Sequence, residues 1–204
     1  MTEEGKKHVV LPEGVLVNEV TVKEIRPCIV AEGMVRALLQ LDASIDDTIP
    51  LLMSRYPPGK INYLKNKNIL TLSIYDRLIT LYPSGKVSMN KTLDEEDALK
   101  IITIIMEEIN LAHQEQDTSG RQTQEAQEKI SNLGPLDIYN CLPQTGCGDC
   151  GEATCTAFAM KVLSGDTTLD LCTPLKEPEY VEKLKCLEEL LGKQVMVTMG
   201  WNPP

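Results

Sequence analysis

Alternating apolar and polar positions open the chain. Between residues 8 and 33, Val15, Val17, Val20 and Val22 recur in short runs cut by Pro12, Gly14, Pro27 and Gly33, a pattern that predicts strands and turns. Met34 to Leu41 predicts a further strand, and Ser44 is placed to cap a short helix through about Tyr56, with Pro50 early in it or kinking it. From Ile69 the pattern sharpens: Leu70, Leu72 and Ile74 alternate with Thr71, Ser73 and Tyr75. Asp76-Arg77 offers a turn, Leu78 to Tyr82 a second strand, Pro83-Ser84-Gly85 another turn, and Val87 and Met89 a third strand. These predict a three-stranded antiparallel meander. Thr92 and Glu95 have capping-box spacing, and Ala98, Ile102, Ile105, Ile109 and Ala112 recur along one face, so a long amphipathic helix should cover the sheet.

The pattern lapses between residues 114 and 133. Through QEQDTSGRQTQEAQEK, Ala126 is the only apolar side chain, and nothing there can bury a face, so it reads as a polar linker or helix extension. Beyond Gly134-Pro135, Leu136 to Leu142 predicts one or two helical turns. Glu152 to Ser164 reads as a helix ended by Gly165, and Glu177 to Leu191 as another closed by Gly192. The expected class is α+β: an antiparallel sheet covered by a long helix in residues 1–113, then a small, mainly helical unit in residues 134–191. Residues 192–204 form an apolar C-terminal tail around Trp201, free to dock on its own unit or on a partner.

Composition adds three constraints. With 4% aromatics, the core must be mainly aliphatic. With 20 Lys and Arg against 30 Asp and Glu, the formal charge is -10, which disfavours nucleic acid. No apolar run is long enough to cross a membrane, and Met1 to Lys7 lacks the apolar stretch of a signal peptide, so membrane insertion is not expected and a soluble, cytoplasmic protein is.

Seven cysteines change the picture more than any of these. Cys147, Cys150 and Cys155 crowd the run TGCGDCGEATC, and Cys172 follows after one short predicted helix. The odd count and the ligand-like spacing argue against a disulfide scaffold and for a metal centre. Gly146, Gly148 and Gly151 alternate with the first cysteines, so successive backbone N–H groups can turn toward an anionic cluster. Cys155 falls in the first turn of a predicted helix, where the dipole favours a thiolate. On residues alone two occupants stay open, an iron–sulfur cluster and a structural zinc ion; three ligands in one loop and a solitary fourth suit the former.

The stretch Leu142 to Pro174 resembles the 4Fe-4S domain of the corrinoid iron–sulfur protein large subunit and of the B subunit of the Rnf electron-transport complex. The likeness rests on Leu142-Pro143, Cys147 to Gly151, Cys155, Phe158-Ala159, Gly165 and Cys172. It implies that Cys147, Cys150, Cys155 and Cys172 ligate one 4Fe-4S cluster. Two positions depart from that family pattern: Gly146 stands where Asn is common before the first ligand, and Thr173 separates the last ligand from Pro174. The sheet and helix of residues 1–115 resemble an α+β module that accompanies such cluster domains in uncharacterised iron–sulfur proteins of anaerobes.

Three cysteines remain. Cys141 reads as a small apolar side chain on a helix covering the cluster, Cys28 as a buried strand thiol, and Cys186 as an exposed thiol opposite Leu184, Leu187 and Leu191. His8 and His113 are far apart, no nucleotide or zinc-hydrolase motif occurs, and no catalytic residue is expected. The implied function is electron transfer in an anaerobic redox or corrinoid-dependent system, through a redox partner such as a corrinoid protein or a larger redox complex. The alternative is an accessory or assembly subunit in which the cluster is structural and the N-terminal domain binds a partner.

Overall fold

The structure is a computed structural model, and it describes residues 8–29, 31–116 and 133–201. The chain divides into two compact units. Unit 1 comprises Met1–Leu52 and Ile61–Gly120; unit 2 comprises Met53–Lys60 and Arg121–Pro204. No described helix is long and apolar enough to cross a membrane.

Unit 1 is a seven-stranded antiparallel sheet in the order β1-β2-β3-β7-β6-β5-β4. The strands are β1 (His8–Val10), β2 (Glu19–Pro27), β3 (Val35–Leu41), β4 (Ile61–Leu64), β5 (Ile69–Ile74), β6 (Arg77–Leu81) and β7 (Lys86–Thr92). Register follows the period of two: Leu70 pairs with Leu81, Leu72 with Ile79, Ile79 with Met89 and Leu39 with Val87, which brings these buried side chains to one face. After the short helix α1 (Ile49–Leu52), α2 (Glu95–Gln116) supplies the covering layer and buries the expected Ala98, Ile102, Ile105, Ile109 and Ala112. The buried Asn110 side chain accepts from the Leu16 and Val17 amides at 2.9 and 2.8 Å and donates to Val17 O at 2.9 Å, so α2 also holds the chain that leads into β2.

Several expectations shift in detail. The tight turn of the meander is Tyr75-Asp76, both at positive φ (53° and 55°), one residue before the expected pair. Ser44 does not cap a helix; its hydroxyl donates to Pro83 O at 2.8 Å. Thr92 ends β7, and the start of α2 is organised instead by Asp94, which accepts from the Asp97 amide at 2.8 Å, and by Asp97, which accepts from the Leu93 amide at 3.0 Å. Cys28 follows β2 half-buried, with its amide on Met34 O, so it is not a buried strand thiol. The polar stretch after Gln116 falls at residues 117–132, outside the described residues.

Unit 2 packs α3 (Pro135–Asn140), α4 (Cys155–Ser164), α5 (Val181–Leu191) and α6 (Lys193–Thr198) with 3₁₀ turns over residues 169–180. Ile138, Leu142, Phe158, Val162, Leu169, Leu175, Leu187, Leu191, Met196 and Trp201 share its core. The apolar tail is therefore partly helix, and Trp201, 5% exposed, docks on its own unit. Gly200 makes that return possible: at φ +82° it passes so close to Thr168 that a Cβ would stand 2.6 Å from the threonine Cβ. The Leu169 amide donates to Met199 O at 2.8 Å and fastens the same crossing. Residues 53–60 belong to this unit: Gly59 packs against Leu163 and Ser164 at the end of α4, and Lys60 Nζ lies 2.9 Å from Asp166 Oδ1.

Cys186 is the clearest correction. It is not an exposed thiol but half-buried, packed against the core and bonded to Cys141, which is itself 4% exposed. A helical wheel assigns α5 one buried face, whereas its other side meets the end of α3: Lys183 Nζ donates to Asn140 O at 2.8 Å. Among the described residues there is thus one disulfide, though not a scaffold of them.

Candidate metal centre

The site is built where α3 hands over to α4. The Asn140-Cys141 end of α3 leads into Leu142-Pro143, and the extended loop that follows carries Cys147 and Cys150. Gly146, Gly148 and Gly151 adopt φ of +65°, +78° and +81°, a conformation open to glycine and strained for other residues. Among the described residues, Gly151 is the one member of the 144–154 stretch whose amide donates to a backbone carbonyl, that of Gly148 at 2.9 Å. Thr154 then caps α4 by accepting from the Ala157 amide at 3.1 Å, which makes Cys155 the first helical residue. Cys172 stands between two 3₁₀ turns, Leu169–Leu171 and Thr173–Lys176, and its carbonyl accepts from the Leu175 amide at 3.1 Å.

Cys147, Cys150, Cys155 and Cys172 line one hollow together with Leu142, Pro143, Glu152 and Phe158. Cys147 is exposed and the other three are half-buried. Phe158, 1% exposed, closes the inner side with Leu142. Glu152 is held at the rim by Lys161, whose Nζ lies 2.6 Å from its carboxylate. Burial pushes the Cys172 thiol above its ordinary pKa; a hydrogen bond from the Leu175 backbone pulls it back, and the charges of Cys150, Cys155 and Cys147 raise it further. Four thiols gathered this way would repel one another as thiolates, and a cationic metal centre would relieve that repulsion. No three His, Cys, Asp or Glu among the described residues close to the spacing taken by a single metal ion.

Two features of the site were not legible in the sequence. Thr173 Oγ1 donates to Asp149 Oδ2 at 2.9 Å, which ties the segment of the fourth cysteine to the turn between the first two. The threonine that displaces Pro174 by one position therefore has a partner. The Cys141–Cys186 bond is the second. Both join residues too far apart in sequence, 24 and 45 positions, for a local period to reveal.

Residues 142–174 match the family model described as "Putative Fe-S cluster", and that segment is an iron–sulfur cluster domain. Among curated proteins the chain is similar to the acetyl-CoA decarbonylase/synthase complex subunit gamma of Methanosarcina acetivorans. The two are 47% identical over 68 residues, covering 32% of this chain and 14% of that subunit. The subunit of the same name from Archaeoglobus fulgidus is 41% identical over 76 residues, 33% of this chain and 16% of the subunit. That from Methanocaldococcus jannaschii is 38% identical over 63 residues, 31% and 13% respectively. The chain thus spans only 13 to 16% of the length of these three relatives. No solved structure matches it.

Proposed function

We propose that Cys147, Cys150, Cys155 and Cys172 hold one 4Fe-4S cluster and that the protein is an electron-transfer protein of an anaerobic redox or corrinoid-dependent system. The observation that carries this reading is the lining of a single hollow by all four thiols within the segment that matches the iron–sulfur family. The donor set is all sulfur, as iron–sulfur clusters take. Left-handed glycines on either side of Cys147 and after Cys150 allow backbone N–H groups to turn toward an anion, and the start of α4 favours the Cys155 thiolate. Bound there, a 4Fe-4S cluster supplies a one-electron couple.

The protein's own residues divide the remaining tasks. Phe158 and Leu142 keep water from the inner side, which limits hydrolytic loss and tunes the potential through the local dielectric. Cys147, the exposed thiol, marks the side from which a redox partner reaches the centre. Because the relatives are named as subunits of the acetyl-CoA decarbonylase/synthase complex, the partner we propose is a multisubunit complex of that kind or a corrinoid protein served by one.

Anaerobic reconstitution followed by metal analysis and dithionite titration under EPR tests the reading. About four iron and four sulfide per chain and a reducible signal are expected; one zinc per chain overturns the occupant. A cluster that takes up no electron at attainable potentials overturns electron transfer and leaves the structural role. Cys150→Ser should abolish cluster uptake and loosen unit 2, because metal binding and folding are coupled; unchanged iron content removes Cys150 from the ligand set.

A further inference from the structure

Outside the ligand set, unit 2 brings together two further cysteines. Cys141 and Cys186 have Cα atoms 5.4 Å apart, inside the range a disulfide spans. Their approach does not depend on the bond alone: one residue before Cys141 and three before Cys186, the Asn140 carbonyl accepts from Lys183 Nζ at 2.8 Å. The pair is 45 positions apart in sequence, and all four candidate ligands, Cys147 to Cys172, lie between its members. Cys141 immediately precedes the Leu142-Pro143 entry to the cysteine loop, whereas Cys186 lies on α5, beyond the last ligand. Cys141 is buried and Cys186 half-buried, so an incoming thiolate reaches the pair from the Cys186 side.

We propose that Cys141 and Cys186 are a second redox centre, a two-electron dithiol–disulfide couple that clamps the ligand-bearing segment. Oxidised, the bond turns that segment into a closed ring whose ends cannot part, so the ligands stay gathered when cluster bonds open transiently. Reduced, the ring becomes an open chain held by packing and the Lys183 contact. The reductant is a cellular dithiol. Its thiolate attacks Cys186 Sγ, the Cys141–Cys186 bond breaks, and a mixed disulfide forms; the second thiol of the reductant then releases Cys186. Two electrons and two protons end on Cys141 and Cys186, and the dithiol leaves as its own disulfide. The couple stands independently of the cluster; its protective effect rests on the cluster reading above.

The test uses the full chain, isolated and reconstituted without oxygen and equilibrated in graded mixtures of reduced and oxidised dithiothreitol. Acid quench, alkylation and peptide mass mapping should show Cys141 and Cys186 passing together, in one two-electron step, from a linked peptide to two alkylated peptides, with Cys28 alkylated throughout. Iron release to a ferrous chelator, measured on the same samples, should be roughly tenfold slower in the oxidised form, as loop closure opposes separation of the ligands. The double variant C141S/C186S should release iron at the reduced rate in every mixture. Either cysteine remaining alkylated in all mixtures overturns the couple, and equal release rates overturn the clamp. If the protein takes up no iron, the cluster reading and the clamp both fail, while the peptide map still decides the couple.

Discussion

Replacing Phe158 with alanine should remove much of the stability of unit 2 while sparing unit 1. Phe158 is 1% exposed in a core shared with Leu142, Val162, Leu187 and Trp201. Truncating a buried phenylalanine costs about 3 to 5 kcal/mol, from lost transfer energy and the cavity left behind. The hollow beside it can admit water into part of that cavity, which favours the lower end, about 3 kcal/mol. For so small a unit, with a urea slope of about 1 to 1.5 kcal/mol/M, the midpoint should fall by about 2 to 3 M. The assay is built into the sequence: Trp201 is the sole tryptophan and lies in this core, so its fluorescence, excited at the red edge where tyrosine does not absorb, reports unit 2. The cluster-free protein is titrated with urea under conditions that keep the Cys141–Cys186 bond. Phe158→Leu, which leaves a smaller void, should cost about 1 kcal/mol. A fall of less than about 0.5 M for the alanine variant, or equal damage from both substitutions, refutes the packing argument.

Three further outcomes follow from named contacts. Thr173→Val keeps volume but removes the hydroxyl donated to Asp149; by loosening the link between the proposed ligand segments it should speed iron release severalfold, measured with a chelator, while leaving the unfolding free energy of the cluster-free protein within about 1 kcal/mol. Asn110→Ala should strip the Leu16 and Val17 amides and the Val17 carbonyl of their partner and destabilise unit 1 by about 2 to 4 kcal/mol. Far-UV circular dichroism should follow that loss with Trp201 fluorescence unmoved. Burial alone would raise the Asp97 carboxyl, but the Leu93 amide and the Arg77 guanidinium outweigh it and hold its pKa below the ordinary value. Its contribution to unit 1 is therefore fully present above the ordinary carboxylate range near pH 4 and is lost as pH falls through the depressed folded value. Asp97→Asn should flatten that acid limb; an unchanged slope in acid titration excludes Asp97 as its source.

How much of this could be read from the chain depended on the distance over which each contact acts. The meander was legible because Leu70 and Leu72, Ile79 and Leu81, and Val87 and Met89 alternate within single strands. The turn was misplaced by one because Tyr75, a residue type that rarely takes positive φ, occupies the left-handed region with Asp76. The short edge strand β4 has too few residues to establish a period, and the capping box expected of Thr92 and Glu95 gave way to Asp94 because Thr92 is held in β7. The cysteine loop spoke plainly, since its glycines, its helix cap and three of its thiols are sequence neighbours. What escaped were Asp149 with Thr173 and Cys141 with Cys186, contacts made only after the segments fold back on each other.

The inclusion of Met53–Lys60 in unit 2 has a consequence for inheritance. A cluster module encoded by one uninterrupted stretch can move between genes by simple fusion, and the segment that matches the iron–sulfur family model, residues 142–174, has that form. Here the compact unit draws its packing from two separate stretches: Met53 is buried, Gly59 rests against Leu163, and Lys60 pairs with Asp166. A recombination break anywhere between residues 61 and 120 would carry off the cysteines without those supports. Transplanting residues 121–204 alone should therefore yield a less stable recipient of iron than the intact chain.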